Sequence, residues 1–249
     1  GAMDEKGYVS HPEHNLIEGV MMHQFESDLK KGAGNELRRK FLAVHSSTAL
    51  AVNSFAPFKD TPEKLIYCGK SGFTSVSFEK ECRTGLRGGT HPHLDVWLEC
   101  GSEVLAVESK LTEYFKQIEA EYKESYQRKI FPYAEDCWWD LLEESKTAEK
   151  QHLDVAQLVK HYLGLIRHLE TTGISSVTLL YLYWEPLNAA DIEVCLKHRQ
   201  EIATFSEQVA DSKVSFKSMS YTNLWHEWGQ IPDLNDHANN LRKRYDVEI

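Results

Sequence analysis

The stretch of sequence that decides the fold is residues 91–110, HPHLDVWLECGSEVLAVESK. Gly101-Ser102 suits a two-residue type II′ turn, because glycine readily takes the positive φ that the first turn position needs. The β-prone residues on both sides of this turn predict a tight antiparallel hairpin. Counted back from the turn, Asp95 lies directly opposite Glu108, and the two strands are predicted at about residues 93–100 and 103–110.

The two faces of this hairpin differ in character, since side chains alternate across a strand. One face is apolar and is predicted to be a core face; it carries Leu94, Val96, Leu98, Leu105 and Val107. The other face gathers two carboxylates, a lysine and a histidine at one end of the hairpin; it carries His93, Asp95, Trp97, Ala106, Glu108 and Lys110.

The carboxylates of Asp95 and Glu108 need a partner. Opposed Cβ atoms on an antiparallel pair lie about 4.5–5.5 Å apart, so two like charges there repel each other. A divalent cation removes that cost, and Mg²⁺ is a hard ion that oxygen ligands hold. Trp97 and Ala106 indicate that this face is also covered, which favours a cation site. The alternative is a solvated face on which Lys110 pairs with one of the carboxylates.

Asp95, followed by Glu108-Ser109-Lys110 at the end of the next strand, resembles the motif of the PD-(D/E)XK nuclease superfamily, which includes the restriction endonucleases. The chain departs from the pattern in one respect, because Pro92 stands three residues before Asp95 instead of next to it. The resemblance implies a metal-dependent endonuclease that hydrolyses phosphodiester bonds in DNA, with Mg²⁺ or Mn²⁺ as cofactor.

The same resemblance implies roles for individual residues. Asp95 and Glu108 would bind the metal, with the backbone carbonyl of Ser109 as a third oxygen. Lys110 would orient the attacking water or help to deprotonate it. The helix after the catalytic hairpin often carries a glutamine that points at the active site, and Gln157 matches it in order and context.

Two further acidic residues are weaker candidates for the metal site. Glu36 is predicted in the first turn of a helix over about residues 36–52, where it either complements the helix dipole or reaches the metal. Glu79 belongs to an alternating segment, residues 74–82, that predicts a strand next to the hairpin. That strand brings Glu79 near Asp95, unless its polar face is simply the outer face of an edge strand.

Candidate substrate-binding residues flank the same region. Residues 84–90, TGLRGGT, form a glycine-rich loop that lacks the Gly-Lys-Ser/Thr ending of a Walker motif. With Arg83 and Arg87 it either lets a phosphate backbone approach or is a flexible turn. Lys160 lies one helical turn beyond Gln157 and is the third candidate.

The order of predicted elements is helix, three strands, helix, strand, which the layering rules arrange as a mixed α/β sheet flanked by helices. The resemblance covers about residues 36–184 and implies the αβββαβ core of restriction endonucleases. The length of 249 residues fits one domain over residues 4–249, since Gly1-Ala2-Met3 has the form of a cleavage remnant. Residues 111–150 are predicted to be a helical insertion, which begins with a helix over residues 111–129.

The net charge of −10 is a difficulty for a nuclease, because tight duplex binders usually carry a broad basic surface. Basic residues cluster only locally, at residues 38–40, 83–87 and 242–244, which leaves room for a basic rim near an acidic site. Two alternatives therefore stay open. One is a catalytically silent binding or regulatory module of the same fold, and the other is a metal-dependent hydrolase of small phosphate substrates.

Cellular context follows from what the chain lacks. Its five cysteines form no CxxC pair, and His91 and His93 have no further ligand at a zinc-site spacing. No apolar run is long enough for a transmembrane span, and no signal-peptide pattern opens the chain. These features predict a cytoplasmic protein with reduced thiols. A homodimer would suit cleavage of both strands of a duplex, and the sequence leaves that open.

Overall fold

A computed structural model describes residues 3–31, 37, 40–86, 91–128, 131 and 133–249. A single five-stranded sheet in these residues follows chain order, with the first three strands antiparallel and the last two parallel to the third. The mixed α/β sheet predicted from the element order is therefore confirmed. The strands are β1 Ser75–Glu81, β2 His93–Cys100, β3 Glu103–Lys110, β4 Ser176–Tyr183 and β5 Val214–Ser220.

Helices cover both faces of this sheet. The α-helices are α1 Glu26–Lys31, α2 Ser47–Phe55, α3 Asp136–Ser145, α4 Val155–Thr172, α5 Glu193–Gln208, α6 Tyr221–Gly229 and α7 Asn235–Tyr245. One core joins the sheet to α1, α2, α6 and α7, and a second core joins it to α3, α4 and α5. In the described part of the chain, no helix combines the length and hydropathy that a membrane span requires.

The predicted register of the hairpin is confirmed from the turn to the middle of the strands. Gly101 has a φ of 59°, and pairing runs from Cys100 opposite Glu103 to Val96 opposite Val107. Regular pairing ends there, where the Asp95 carboxylate accepts a hydrogen bond from the backbone N–H of Ser109. A carboxylate thus takes the place of a backbone acceptor at the open end of the hairpin.

A second irregularity lies in β1 at Glu79, whose φ is 50°. Pairing with β2 is regular up to Phe78 and resumes at Lys80, which lies opposite Leu94. A residue in the left-handed region interrupts the alternation of a strand. Leu94 packs with Trp97 in the core on the α4 side, so the prediction that it shares a face with Val96 was wrong. Leu94 lies beyond Val96, where the regular pairing of β2 with β3 has ended.

Two predicted helices differ from the observed ones. The helix expected over residues 36–52 begins only at Ser47, where Ser46 caps it by accepting a hydrogen bond from the N–H of Ala49. The helix expected over residues 111–129 was wrong, because among residues 111–127 the helical structure is a short 3₁₀ turn at Glu113–Phe115. Backbone pairing of Ile118 with Gln151 holds that segment extended, and tertiary contacts of this kind override helix propensity. Helix α3 and this 3₁₀ turn lie within residues 111–150. That the whole range is a helical insertion stays a prediction.

Helix α4 closely approaches Cys82, the residue after β1, at one glycine. A Cβ atom on Gly164 would lie 2.6 Å from the carbonyl oxygen and 2.9 Å from the Sγ atom of Cys82. Both distances are shorter than van der Waals contact, and the nearer atom belongs to the backbone. Gly164 therefore sets the distance between α4 and the sheet on which its functional side chains converge.

We expect Gly164→Ala to lower the free energy of unfolding by about 1–3 kcal/mol, the usual cost of overpacking a core. The better helix propensity of alanine offsets part of that cost. Gly229→Ala is a matched control, because nothing lies within 4 Å of its added methyl group. Urea unfolding of both variants measures the difference, and equal stabilities would contradict the close approach.

Candidate active site

Glu108 is the centre of a buried polar cluster near the end of β3, with only 2% of its surface exposed. One carboxylate oxygen, Oε1, lies 2.6 Å from the Nζ atom of Lys110. The other, Oε2, lies 2.8 Å from the Nε2 atom of His161. Lys110 also donates a hydrogen bond of 2.6 Å to the Oε1 atom of Gln157. The structure therefore brings Glu108, Lys110 and Gln157 together, and the predicted salt bridge is buried and not solvated.

Asp95 joins the cluster through the backbone of the same strand. Its Oδ2 atom accepts a hydrogen bond of 2.7 Å from the N–H of Ser109, the residue between Glu108 and Lys110. The Ser109 side chain faces the opposite core, where its Oγ atom lies 2.7 Å from the hydroxyl of Tyr221 and donates to the carbonyl of Ser47. Buried contacts on both sides thus fix the backbone of Ser109.

The start of helix α4 is held in place by two carboxylates. Asp154 caps the helix by accepting a hydrogen bond from the N–H of Gln157. Glu201 of α5 accepts two hydrogen bonds, of 2.8 and 2.7 Å, from the N–H groups of His152 and Leu153. These contacts fix the position of α4 along the strands. That position determines which side chains of α4 reach Glu108 and Lys110.

The pKa values of the two carboxylates are shifted in opposite directions. Burial alone would raise the pKa of Glu108, but Lys110 and His161 outweigh it and lower that pKa to about 2. Burial raises the pKa of Asp95 well above its usual range, and the charges of Glu108 and Glu79 raise it further. Glu108 is therefore a stable carboxylate, whereas Asp95 lacks a sufficient counter-charge among the described residues.

Lys110 is held as an ammonium ion. Burial acts to lower its pKa, but the charges of Glu108 and Glu113 and the hydrogen bond to Glu108 outweigh burial and raise it above its ordinary value. Only 12% of its side chain is exposed. The buried ammonium group of Lys110 therefore supplies positive charge to any ligand that binds between Lys110 and Asp95.

Glu79 acts on the same site from β1. It is half-buried, and its position in β1 lies between the two residues that pair with Val96 and Leu94, which flank Asp95 in β2. Its negative charge contributes to the raised pKa of Asp95. The other weaker acidic candidate, Glu36, lies outside the described residues, and helix α2 begins well after it in sequence.

The donor set at this site suits a hard divalent cation. Asp95 and Glu108 supply carboxylate oxygens, and Ser109, which follows Glu108 directly, adds a backbone carbonyl. These are the oxygen ligands that Mg²⁺ and Mn²⁺ take. Burial and the charges of Glu108 and Glu79 raise the pKa of Asp95, so a cation bound beside this carboxylate would supply the positive charge that it needs. In the described part of the chain, no three His, Cys, Asp or Glu side chains converge as a ready-made metal site.

Two of the three candidate substrate-binding residues, Arg83 and Lys160, have other partners among the described residues. Arg83 is exposed and pairs with Glu81. Lys160 donates a hydrogen bond to the carbonyl of Glu121 and lies 5.5 Å above the ring of Tyr122. Burial lowers the pKa of Lys160. Arg87 lies outside the described residues, and a role in substrate binding stays a prediction for all three basic residues.

Sequence reasoning missed two participants. His161 is 1% exposed, and its Nδ1 atom has no hydrogen-bond partner among the described residues. It follows Gln157 by four positions, so both side chains lie on one face of α4, and that spacing was a usable signal. Tyr221 carried no comparable signal, because it reaches Ser109 from a helix that begins after β5.

A mixed sheet with helices on both faces and a buried acidic cluster at the end of its hairpin is compatible with a restriction-endonuclease-like core. The chain belongs to the family described as restriction endonuclease associating with ARP, whose model matches residues 2–246. This membership indicates a nuclease-like role and a nucleic-acid substrate. No curated protein and no solved structure gives a significant match to the chain.

Proposed function

We propose that the protein is a metal-dependent nuclease of the PD-(D/E)XK type that cleaves DNA internally. The observation that carries this proposal is the buried cluster of Asp95, Glu108, Lys110 and Gln157 at the open end of the hairpin. Family membership supports the nuclease class. Because the net charge of the chain is −10, DNA binding would depend on local positive charge near this cluster.

Asp95, Glu108 and the carbonyl of Ser109 would hold Mg²⁺ or Mn²⁺. When bound, such an ion polarises the scissile phosphate and lowers the pKa of its water. Glu79 adds negative charge beside Asp95 and favours the bound cation. The hydrogen bond from Ser109 orients the Asp95 carboxylate, which lowers the entropy that binding would otherwise cost.

Lys110 contributes through its charge. Because its pKa is raised, it is an ammonium ion at neutral pH and stabilises the negative charge that develops on the phosphate. Glu108 and Gln157 hold its Nζ atom by hydrogen bonds of 2.6 Å each, so this charge is positioned before the substrate arrives. In this arrangement Lys110 orients the attacking water. Deprotonation of that water requires a different base or a lower pKa of Lys110.

The test of this function is cleavage of plasmid, single-stranded DNA and RNA at low salt with Mg²⁺ or Mn²⁺, beside an EDTA control. We expect cutting of DNA that depends on the metal. A small phosphodiester serves as a further substrate, because its preferential hydrolysis would indicate the small-phosphate hydrolase instead. Absence of cutting of every substrate with either metal would contradict the proposed reaction.

We expect His161 to position Glu108, because its Nε2 atom lies 2.8 Å from the Oε2 atom of that carboxylate. Residues that orient metal ligands typically contribute about 10–100-fold in metal affinity. His161→Leu should therefore weaken Mn²⁺ binding by about that factor, and His161→Gln, which keeps a donor, should restore part of it. Calorimetric titration measures both, and unchanged affinity in His161→Leu would rule out this role.

His168→Leu provides a matched control on the same helix. His168 is half-buried, and its ring packs edge-on against Trp97, with 5.1 Å between the ring centroids. We expect its substitution to leave Mn²⁺ affinity unchanged. An equal loss of affinity in both variants would point to a general disturbance of α4.

A catalytically silent binding module is the second candidate. The observation that favours it is that each oxygen of Glu108 already has a protein partner, so this carboxylate is compensated without a metal. A module of this kind would bind neither Mg²⁺ nor Mn²⁺ in calorimetry. The nuclease must bind one of them, so this measurement separates the two candidates.

We also propose a cytoplasmic location and leave the oligomeric state to measurement. All five cysteines are free thiols, which suits a reducing compartment. A homodimer would present two sites to the two strands of a duplex. Light scattering with and without a short duplex measures whether such a dimer forms.

A further inference from the structure

A cavity of about 420 Å³ opens at the carboxyl ends of β3 and β4, directly beside the proposed catalytic strand. Leu111, which follows Lys110, forms part of its wall, and Trp184 donates its backbone N–H to the carbonyl of Lys110 at 2.9 Å. The cavity is therefore continuous with the backbone that carries the proposed active site. Its lining residues are Val44, His45, Leu111, Thr112, Trp184, Arg244, Tyr245 and Val247.

The walls of this cavity are mostly apolar, and its volume lies in the range of small-molecule sites. Trp184 and Tyr245 are buried, and the indole N–H of Trp184 donates to the carbonyl of Tyr245 at 2.8 Å. Arg244 lies 5.3 Å above the ring of Tyr245 and donates a hydrogen bond to Asn15. These contacts hold the aromatic and cationic parts of the wall in place before any ligand binds.

Positive charge gathers at the same place. Arg244 belongs to the basic cluster of residues 242–244, one of three such clusters in a chain whose net charge is −10. Arg242 pairs with Asp246, while Lys243 is exposed at the surface. The described structure thus places Arg244 of this cluster in the cavity wall, at the edge of the sheet where the proposed active site lies.

We infer that this cavity takes a nucleobase, unstacked from its neighbours, of the strand whose phosphodiester bond lies at Lys110. The inference rests on the proposed function and deepens it. Apolar and aromatic walls accept the face of any base and bind with little sequence preference. Arg244 and Lys243 supply positive charge for the phosphates next to that base. If the occupant were an apolar protein side chain, it would have no use for this charge.

A nucleobase in this cavity would determine whether the protein prefers single-stranded or duplex DNA. A base inside a duplex must leave its stack before it can enter a pocket, and this costs energy that a single strand does not have to supply. The protein should therefore bind single-stranded DNA, or the frayed end of a duplex, more tightly than an intact duplex. This preference distinguishes a base pocket from a surface that only follows phosphates.

Binding of a fluorescent oligothymidylate of about eight nucleotides tests the inference, with EDTA present so that no cleavage occurs. The probe is compared with an oligonucleotide of equal length and charge that lacks bases. We expect the wild-type protein to bind the oligothymidylate about tenfold or more tightly than the abasic probe. Val247→Trp, which fills the cavity from its exposed rim, should remove most of that difference.

Three variants complete the design. Leu196→Trp places the same ring on an exposed apolar position of α5 outside the cavity, so it should bind like the wild type. Thr112→Phe fills the cavity from another wall in case Val247→Trp fails to fold. Lys243→Gln should weaken both probes by a similar factor, because phosphate contacts do not depend on the base. Equal binding of the two probes by the wild type, or wild-type binding by both filled variants, would overturn the inference.

The same variants separate failure of this pocket from failure of the proposed reaction. Metal-dependent cleavage by Val247→Trp with a KM equal to that of the wild type would overturn the pocket and leave the nuclease proposal standing. In the opposite case, the wild type binds oligothymidylate but neither binds metal nor cuts, and Val247→Trp loses the oligothymidylate binding. That result would support the pocket and overturn the reaction.

Discussion

Replacing Lys110 by alanine is expected to lower the rate of metal-dependent DNA cleavage by about 10²–10⁴-fold, the range for removal of a positioned proton-transfer or charge-stabilising group. The loss should appear in kcat more than in KM, because the ammonium ion acts mainly on charge that develops in the transition state. The variant also leaves the buried carboxylate of Glu108 with His161 as its remaining close partner. A fall in stability is therefore expected beside the fall in rate.

Lys197→Ala is the matched control for that variant. Lys197 also pairs with a glutamate, at 2.6 Å, but both side chains of that pair are exposed on α5. Solvent screens exposed pairs on a helix, which therefore contribute little, so neither rate nor stability should change measurably. Single-turnover cleavage by the two variants gives the comparison. A Lys110→Ala protein that cuts DNA as fast as the wild type would remove Lys110 from the active site.

Asp95→Asn is expected to abolish metal binding while making the metal-free protein more stable. Asparagine keeps an acceptor for the N–H of Ser109 but removes a buried negative charge that lies close to Glu108 and Glu79. Relief of strain at a functional site of this kind commonly adds about 0.5–2 kcal/mol. Urea unfolding in EDTA measures the gain, and calorimetry measures the loss of Mn²⁺ binding.

The stability gain of Asp95→Asn should depend on pH in a defined direction. Because the pKa of Asp95 is raised in the folded state, the folded protein holds this proton more tightly than the unfolded chain does. That contribution stabilises the wild type below the ordinary carboxyl pKa, about 3.9, and is lost as the pH rises through the raised value. The advantage of the variant should therefore be large at pH 8 and shrink toward pH 4. A constant difference over that range would contradict the electrostatics of the site.

Much of the site was predictable because it depends on local geometry. The Gly101-Ser102 turn sets the register of the hairpin, and the register brings Asp95 to the strand that carries Glu108 and Lys110. The parallel crossover through α4 follows from the element order, which brings the face of Gln157 to that strand. Each step uses residues close in sequence or a rule of strand connection.

The remainder depends on contacts that no local pattern encodes. Glu79 has a left-handed φ, and Leu94 packs on the α4 side of the sheet, although the alternating sequences of β1 and β2 predict neither. The extended path after Lys110 is set by pairing with Gln151, far along the chain, against a local preference for helix. Arg244 reaches the sheet edge from the last helix, so its place beside β3 is visible only in three dimensions.

The most direct test of the proposed active site is calorimetric titration of Mn²⁺ into the wild-type protein and the Asp95→Asn variant, side by side at neutral pH. We predict that the wild type binds the ion at the site formed by Asp95, Glu108 and the carbonyl of Ser109, and that the variant does not. Equal Mn²⁺ binding by the two proteins, or no binding by the wild type, would contradict the assignment of this cluster as a metal-dependent nuclease site.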